Sequence, residues 1–451
     1  MTLRTLVYVR QYLKKPYLLM FGAVPGLRVD YLTDFPTAGM TDIRSAFYRA
    51  LKTRRKDRLA LFPIEDVILR CRLLRNIDRT LAVDMATAMH KLLDDIVSAH
   101  RYTCIAGPMV DDYVSHLLCI LAEKRDIPYV GFCESYFPGH TQVTLYSRGE
   151  PLAVRTVPDE EVDSVAARIT VHNFRQDYSQ LRTYSLGTHI GRVLRYHAKR
   201  SAFAFMRFYR NDPLNVHFMS QRFLGQHKSL ANYARPTNFH ADWEDRLRNA
   251  HHRPLVYLPL SFAPEASIDY WVPNVRFIDY DRMTLDVVAA LSARYTVIVK
   301  EHFHMLGIRD RRFYAKLACV GDVILVPPAV NSNYLVTSYR PKMLVGGGSP
   351  GLEGSLRGIP VATFCPASYW SSASGAKFVA CHDLANLPKE LDELRPPQVE
   401  QHGFLRRCLQ TMLTFDYLRS SSLSEHHYTE VRAFVSPAES AAEVRRSALV
   451  Q

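Results

Sequence analysis

Five short apolar runs rich in β-branched residues recur through the second half of the chain: PLVYLPLS (254–261), YTVIVKEH (295–302), VILVPP (323–328), KMLVGGG (342–348) and IPVATFC (359–365). Between them lie helix-compatible segments such as DRMTLDVVAALSA (281–293) and RDRRFYAKLAC (309–319). Continuous apolar runs of that length fit strands covered on both faces, and their alternation with helices predicts an open, parallel, doubly wound sheet. The first half shows the same pattern once. Leu81, Met85, Met89, Leu92 and Ile96 keep helical spacing, YTCIAGP (102–108) reads as a strand, Asp111 to Asp126 as a helix and IPYVGFC (127–133) as a strand, which together make a βαβ unit.

A chain of 451 residues outgrows a single core, so two α/β domains are expected. The polar, turn-rich stretch HKSLANYARPTNFHADW (227–243) is the natural linker, which gives an N-terminal domain over 1–235 and a C-terminal domain over 236–400. Residues 401–451 form a tail, helical from Phe404 to Tyr417 and able to cross back to the first domain. With 47% hydrophobic and 22% charged residues, the composition supports packed cores and not disorder.

The eight cysteines are scattered and form no CxxC pair, so neither a disulfide framework nor a structural zinc site is expected, and a reducing, cytoplasmic setting fits. Near the N-terminus Arg4, Arg10, Lys14 and Lys15 break the apolar stretches well short of the ~18 residues a span needs. The net charge of +13 points to an anionic partner. Ten Lys/Arg against four Asp/Glu between Arg49 and Arg79 concentrate +6 in one segment, which suggests attraction to an anionic inner-membrane surface.

Ligands of open α/β sheets bind beyond the C-terminal ends of the strands. Four such exits carry unusual chemistry here: SFAPEAS with Glu265, KEHFHMLG with Lys300, His302 and His304, PPAVNSNYL (327–335), and GGGSPGLEGSLRGIPV (346–361). In the last, Gly348 and Gly351 admit close approach to the backbone and Ser349 suits a helix cap. The helix N-terminus offers N–H groups to a phosphate, and Glu353 lies one turn in, within reach of ribose hydroxyls. Each feature alone is also what a packing turn, a backbone-satisfied histidine pair or a solvated loop acid would show. Neither a P-loop nor a first-strand dinucleotide fingerprint occurs, and with no YxxxK pairing near the first domain a nucleotide-sugar epimerase is disfavoured.

The ordered set PLSFAPEAS, KEHFHMLG and GGGSPGLEGSLRGIPV, over residues 254–370, resembles the C-terminal half of the bacterial capsule polysaccharide biosynthesis proteins, which include the β-Kdo transferases. Ala263 stands where that family has Gln, and Phe303 where it has Pro after the histidine. The resemblance implies a metal- and cofactor-independent GT-B glycosyltransferase, two Rossmann-like domains facing a cleft. Its donor is a nucleotide sugar such as CMP-Kdo, and its acceptor a cell-surface glycan or glycolipid precursor. It also implies a carboxylate on the acceptor side, for which Asp111, Asp112 and Glu134 stand at strand exits; Asp111 and Asp112 equally suit the start of a helix. The rival class is a non-catalytic anion binder gripping nucleic acid through 49–58 and Arg192, Arg195, Lys199, Arg200 and Arg207, but no nucleic-acid-binding motif accompanies that charge and no nucleic-acid partner is expected.

Overall fold

The computed structural model describes residues 3–53, 62–146, 149–170, 184–214, 216, 228–250, 252–366, 368–397 and 400–436. Residues 54–61 of the basic segment, 227 at the start of the expected linker and 437–451 of the tail lie outside the described residues. Two compact units emerge, one of Met1–Phe174, Phe203–Leu224 and Leu405–Gln451, the other of Arg175–Ala202 and Gly225–Phe404. The sequence reading drew the boundary at 235/236, whereas part of the chain ahead of that point packs with the second unit.

In the first unit, β1 (Leu3–Val9), β2 (Leu27–Thr33), β3 (Thr41–Asp42), β4 (Cys104–Pro108) and β5 (Tyr129–Glu134) are parallel, in the order β3-β2-β1-β4-β5. Then β6 (Thr141–Leu145) adds antiparallel to β5, with β7 (Glu150–Pro151) beside it. The N-terminal apolar stretch is thus the central strand of a sheet, which the arginines flanking it obscured. Helix α1 (Lys14–Phe21) covers one face with Tyr17, Met20 and Phe21. Helices α2 (Arg79–Ser98) and α3 (Tyr113–Lys124) are the two expected around the βαβ unit, each begun by an aspartate whose side chain accepts a backbone N–H, Asp78 from Leu81 and Asp112 from Ser115. A long helix, α4 (Leu186–Tyr209), follows; as far as Ala202 it belongs to the second unit.

The second unit holds six parallel strands: β8 (Leu255–Pro259), β9 (Thr296–Lys300), β10 (Val323–Val326), β11 (Lys342–Val345), β12 (Val361–Thr363) and β13 (Lys377–Phe378), in the order β10-β9-β8-β11-β12-β13. Five are the expected runs, each ending earlier than its apolar stretch, so that the polar residues after them are exit loops. Val256, Leu258, Val297, Val299 and Leu325 point to one face, against Val287 and Leu291 of α5 (Tyr280–Ser292) and Phe313 and Leu317 of α6 (Arg311–Ala318). Side chains alternate along a strand, so Tyr257, Ile298 and Lys300, in register with one another and with Pro259, take the opposite face. Helices α7 (Ser332–Tyr339), α8 (Ser349–Leu356) and α9 (Tyr369–Ser374) complete the unit. Both units are therefore Rossmann-like α/β layers, the expected class.

The tail is not one helix from Phe404 to Tyr417. It is α10 (Gln401–Leu409), a strand Met412–Leu413 that pairs antiparallel with β6, and α11 (Glu425–Val435), whose Val431, Phe434 and Val435 enter the core of the first unit. All eight cysteines are free, six of them buried.

Candidate active site

The strand order of the second sheet reverses between β8 and β11, and at such a switch point the two exit loops diverge and leave a crevice above the sheet. The exit of β8 runs through Ser261 and that of β11 through Gly346 to Gly348. A Cβ on Gly346 would come within 3.0 Å of the Ser261 hydroxyl and 3.2 Å of the Phe364 ring, so glycine is what lets the two loops approach. Gly348 is the N-cap of α8 and caps it with no side chain; Ser349, expected as the cap, is instead the first helical residue. Gly351 is corrected more sharply. It is buried, and a Cβ there would enter the ring of Trp370, itself fully buried and donating its indole N–H to the Gly347 carbonyl at 3.3 Å. Gly351 serves helix packing and not ligand approach.

Lys300 ends β9 on the α7/α8 side of the sheet, the face on which the Tyr257 hydroxyl donates to Ser332 Oγ at 3.0 Å, at the start of α7. Burial pushes the Lys300 ammonium down to about 8, against the opposing pull of Glu353 and Glu301. Glu353, the predicted sugar-contacting acid, is pushed up to about 7 by burial, against Arg357, Lys300 and a hydrogen bond from Ser349. The exits of β9 and β11, on either side of β8, therefore bring a lysine and a carboxylate within electrostatic reach of each other. Both are held near the pH at which they change charge, beside a helix N-terminus lacking a side-chain cap. Among perturbed groups, such a cluster is the pattern of functional sites.

Beside it lies a network that the sequence reading missed. Glu301, buried, accepts from the His302 backbone N–H (2.6 Å), from Arg309 Nε (2.6 Å) and from the Tyr314 hydroxyl (2.8 Å). Arg309 also pairs with Asp281, donates to the Ser261 carbonyl (3.2 Å) and lies over the rings of Tyr280 and Phe313. Burial would lower its guanidinium pKa, but Glu301 and Asp281 overcome that and raise it. The network ties the exits of β8 and β9 to α5 and α6. The adjacent charges in KEHFHMLGIRD were its only trace in sequence.

His302 is no cation. Burial, then His304, Lys300 and Arg309, push its imidazole down to about 3. Its Nδ1 accepts the His304 backbone N–H at 3.3 Å, which assigns the proton to Nε2 and makes the ring a neutral donor. His304 reaches solvent, and partial desolvation, then Arg192 and Lys228, lower its pKa. Glu265 is also exposed, at the N-cap of a single turn (Ala266–Asp269), and accepts from the Ser267 hydroxyl at 2.8 Å.

In the first unit the three candidate acids separate. The carboxylate of Asp112, buried, takes the Ser115 backbone N–H (2.7 Å), the Ser115 hydroxyl (2.8 Å) and the guanidinium of Arg10 (2.9 Å), itself fully buried at the exit of β1. Three of the roughly four lone-pair sites of this buried carboxylate are taken by donors, one of them a buried cation, which suits Asp112 to capping and ion pairing and not to the role of base. Asp111 pairs with Arg72 and stands 3.8 Å from Arg10. Glu134 ends β5 with its side chain at the surface, yet its environment raises its pKa, first through desolvation and then through Asp416, with Arg419 opposing. The +6 segment is also quieter than its count. Arg70 and Arg72 are buried and paired with Asp66 and Asp111, and Arg79 pairs with Glu65. Among the described residues no group of three or more His, Cys, Asp or Glu could hold a metal ion, and no helix is long and apolar enough to cross a membrane.

No family model matches the sequence, and no curated protein matches it. Among solved structures the chain is similar to UDP-GlcNAc 2-epimerase from Methanocaldococcus jannaschii, at 10% identity over 90% of this chain and 98% of that one, with a TM-score of 0.27. It is likewise similar to the UDP-forming α,α-trehalose-phosphate synthase from Burkholderia vietnamiensis, at 10% identity over 98% and 100% of the two chains, with a TM-score of 0.31. Similarities this slight carry no argument about the chemistry of this chain.

Proposed function

We propose that the chain is a GT-B glycosyltransferase whose second unit holds a nucleotide-sugar donor above the β8/β11 switch point. The observation that carries this reading is the meeting there of the α8 N-terminus with Lys300 and Glu353. Free backbone N–H groups and a half-buried ammonium suit a phosphate that gains charge as its glycosyl bond breaks. The acceptor oxygen attacks the anomeric carbon, the carbon–oxygen bond to the phosphate breaks, and its electron pair leaves on that phosphate. His302, neutral with Nε2–H outward from its backbone contact, donates to the donor, and Glu353 accepts from sugar or ribose hydroxyls. For the acceptor proton the first candidate is Glu134, whose pKa is raised, with Asp111 as second choice.

The resemblance of the strand-exit motifs to the capsule polysaccharide proteins makes CMP-Kdo the first donor to try, with a cell-surface glycan or its lipid-linked precursor as acceptor. Calorimetric titration with CMP, UDP and GDP tests the donor site directly. One of the three is expected to bind, and its affinity to fall in Lys300→Met. If none binds the folded protein while the chain retards nucleic acid at physiological salt, the anion-binder reading replaces this one.

A further inference from the structure

Helix α4 (Leu186–Tyr209) carries five basic residues and no acidic one. At ~100° per residue, Leu186, Ile190, Leu194, Phe205, Phe208 and Tyr209 fall within one arc of about 140°. The other positions in that arc are Gly, Ala, Ser and one His, so it holds no Asp, Glu, Lys or Arg. All six large side chains are solvent-exposed, Leu194 at 65% and Phe208 at 84%. The buried residues His189, Val193 and Tyr196 lie outside the arc, about 20° to 80° beyond its Leu186 edge. There His189 bonds the Ser229 carbonyl at 3.0 Å and packs on Gly307, while Arg192 lies over the rings of Tyr184 and Phe303. The N-terminal part of α4 is therefore seated on the loop that follows His302 and His304, and it turns its apolar stripe away from the protein.

The charges bracket that stripe. Arg195 and Lys199 follow one edge and Arg200 and Arg207 the other, and none of the four has a carboxylate partner among the described residues. Apolar and aromatic side chains between two rows of unpaired cations are the requirements of a helix lying in the plane of a bilayer, its rings among the acyl chains and its basic stems reaching up to anionic headgroups. A second copy of the chain would set these cationic rows against each other. A nucleic acid would leave the apolar stripe in water.

We propose that α4 is an in-plane membrane anchor that lays its Leu186–Tyr209 stripe into the surface of an anionic bilayer. Phosphate headgroups neutralise Arg195, Lys199, Arg200 and Arg207, and the exit loop of β9 is thereby held at the lipid surface, where a lipid-linked acceptor would reside. The anchor does not depend on the nucleotide site and stands or falls without it.

Flotation of the full chain with phosphatidylcholine vesicles, with and without phosphatidylglycerol, tests this. The wild type is expected to float with the anionic vesicles, to retain part of its binding at high salt, and to bind the neutral ones only weakly. L194D/F208D places two charges on exposed positions and should lower the partition coefficient about 30-fold or more with an unchanged melting temperature. R195Q/K199Q, which keeps the stripe, should weaken binding mainly at low salt. Three results would overturn the proposal: no binding of the wild type to anionic vesicles, equal binding by L194D/F208D, or a wild-type dimer in light scattering that this variant converts to monomer. Nucleotide titration of the same variant separates the two claims, since loss of the anchor leaves nucleotide affinity as it was.

Discussion

Replacing Lys300 by methionine keeps the side chain's length and removes its charge. Burial holds this ammonium from the ordinary lysine value of 10.5 down to about 8. At ~1.4 kcal/mol per tenfold change in proton affinity, that is ~3 kcal/mol working against the charged form, an upper figure that screening around the half-buried side chain brings to about 1–2 kcal/mol. A group with a lowered basic pKa gives its full stability above 10.5 and loses it as pH falls through 8, so at neutral pH the penalty is in force. Glu353 acts from the other side. Raised from 4.5 to about 7, it gives its stability below 4.5 and loses it as pH rises through 7. Between pH 7 and 8 the ligand-free unit thus bears both penalties. Lys300→Met relieves the first, but Glu353, deprived of its cation, is pushed up further and its penalty deepens, which offsets part of the gain. The variant should therefore keep its melting temperature within about 2 °C of the wild type at pH 7.5. It should also bind the nucleotide about 30- to 150-fold more weakly, the loss of one charge-assisted phosphate contact of ~2–3 kcal/mol. For the wild type, binding at pH 8 to 9 should take up protons, because a phosphate draws Lys300 back toward its charged form; titrations in buffers of different ionisation enthalpy read this directly. A lower melting temperature together with unchanged nucleotide affinity would refute the argument, since it would make Lys300 a structural cation and not a site held in readiness for an anion.

The buried Glu301–Arg309 network predicts that Arg309→Met unfolds the second unit before it affects chemistry, at a cost of ~3–5 kcal/mol for leaving Glu301 buried without its cation, visible as a large drop in melting temperature. Gly351→Ala drives a methyl into Trp370 and should cost about 1–3 kcal/mol, with nucleotide affinity per folded molecule intact; normal melting with lost binding would return Gly351 to the ligand. Glu134→Gln should leave melting unchanged and lower turnover at least ~100-fold, while Asp112→Asn should do the reverse and destabilise the first unit by freeing Arg10. Turnover and melting curves on the same two proteins decide between them.

The pattern of apolar runs determined the class of fold, because a strand covered on both faces must be apolar throughout and no side-chain detail alters that. VILVPP and IPVATFC could hardly be anything else. The same pattern located the exits, and with them Lys300, His302 and Glu353, since polar residues directly after a buried strand must stand at its end. Strand order lay beyond it: nothing local says that β8 lies between β9 and β11, and that placement alone brings Ser261 to Gly346. Protonation was equally out of reach, because a pKa depends on what surrounds a group in three dimensions. The sequence offers Lys300 as an ordinary cation and Glu353 as an ordinary acid, and only their common burial brings both toward neutrality. Asp112 and Gly351 show the converse. Their residue types advertise a base and a phosphate loop, but Arg10, more than a hundred residues away, consumes the carboxylate, and Trp370 takes up the space a side chain at Gly351 would need. The charge count around Arg49–Arg79 likewise could not foresee that Arg70 and Arg72 turn inward to Asp66 and Asp111. The stripe on α4 was written in plain periodicity. What the chain alone could not say is that the fold leaves this face open, because exposure is decided by what packs elsewhere.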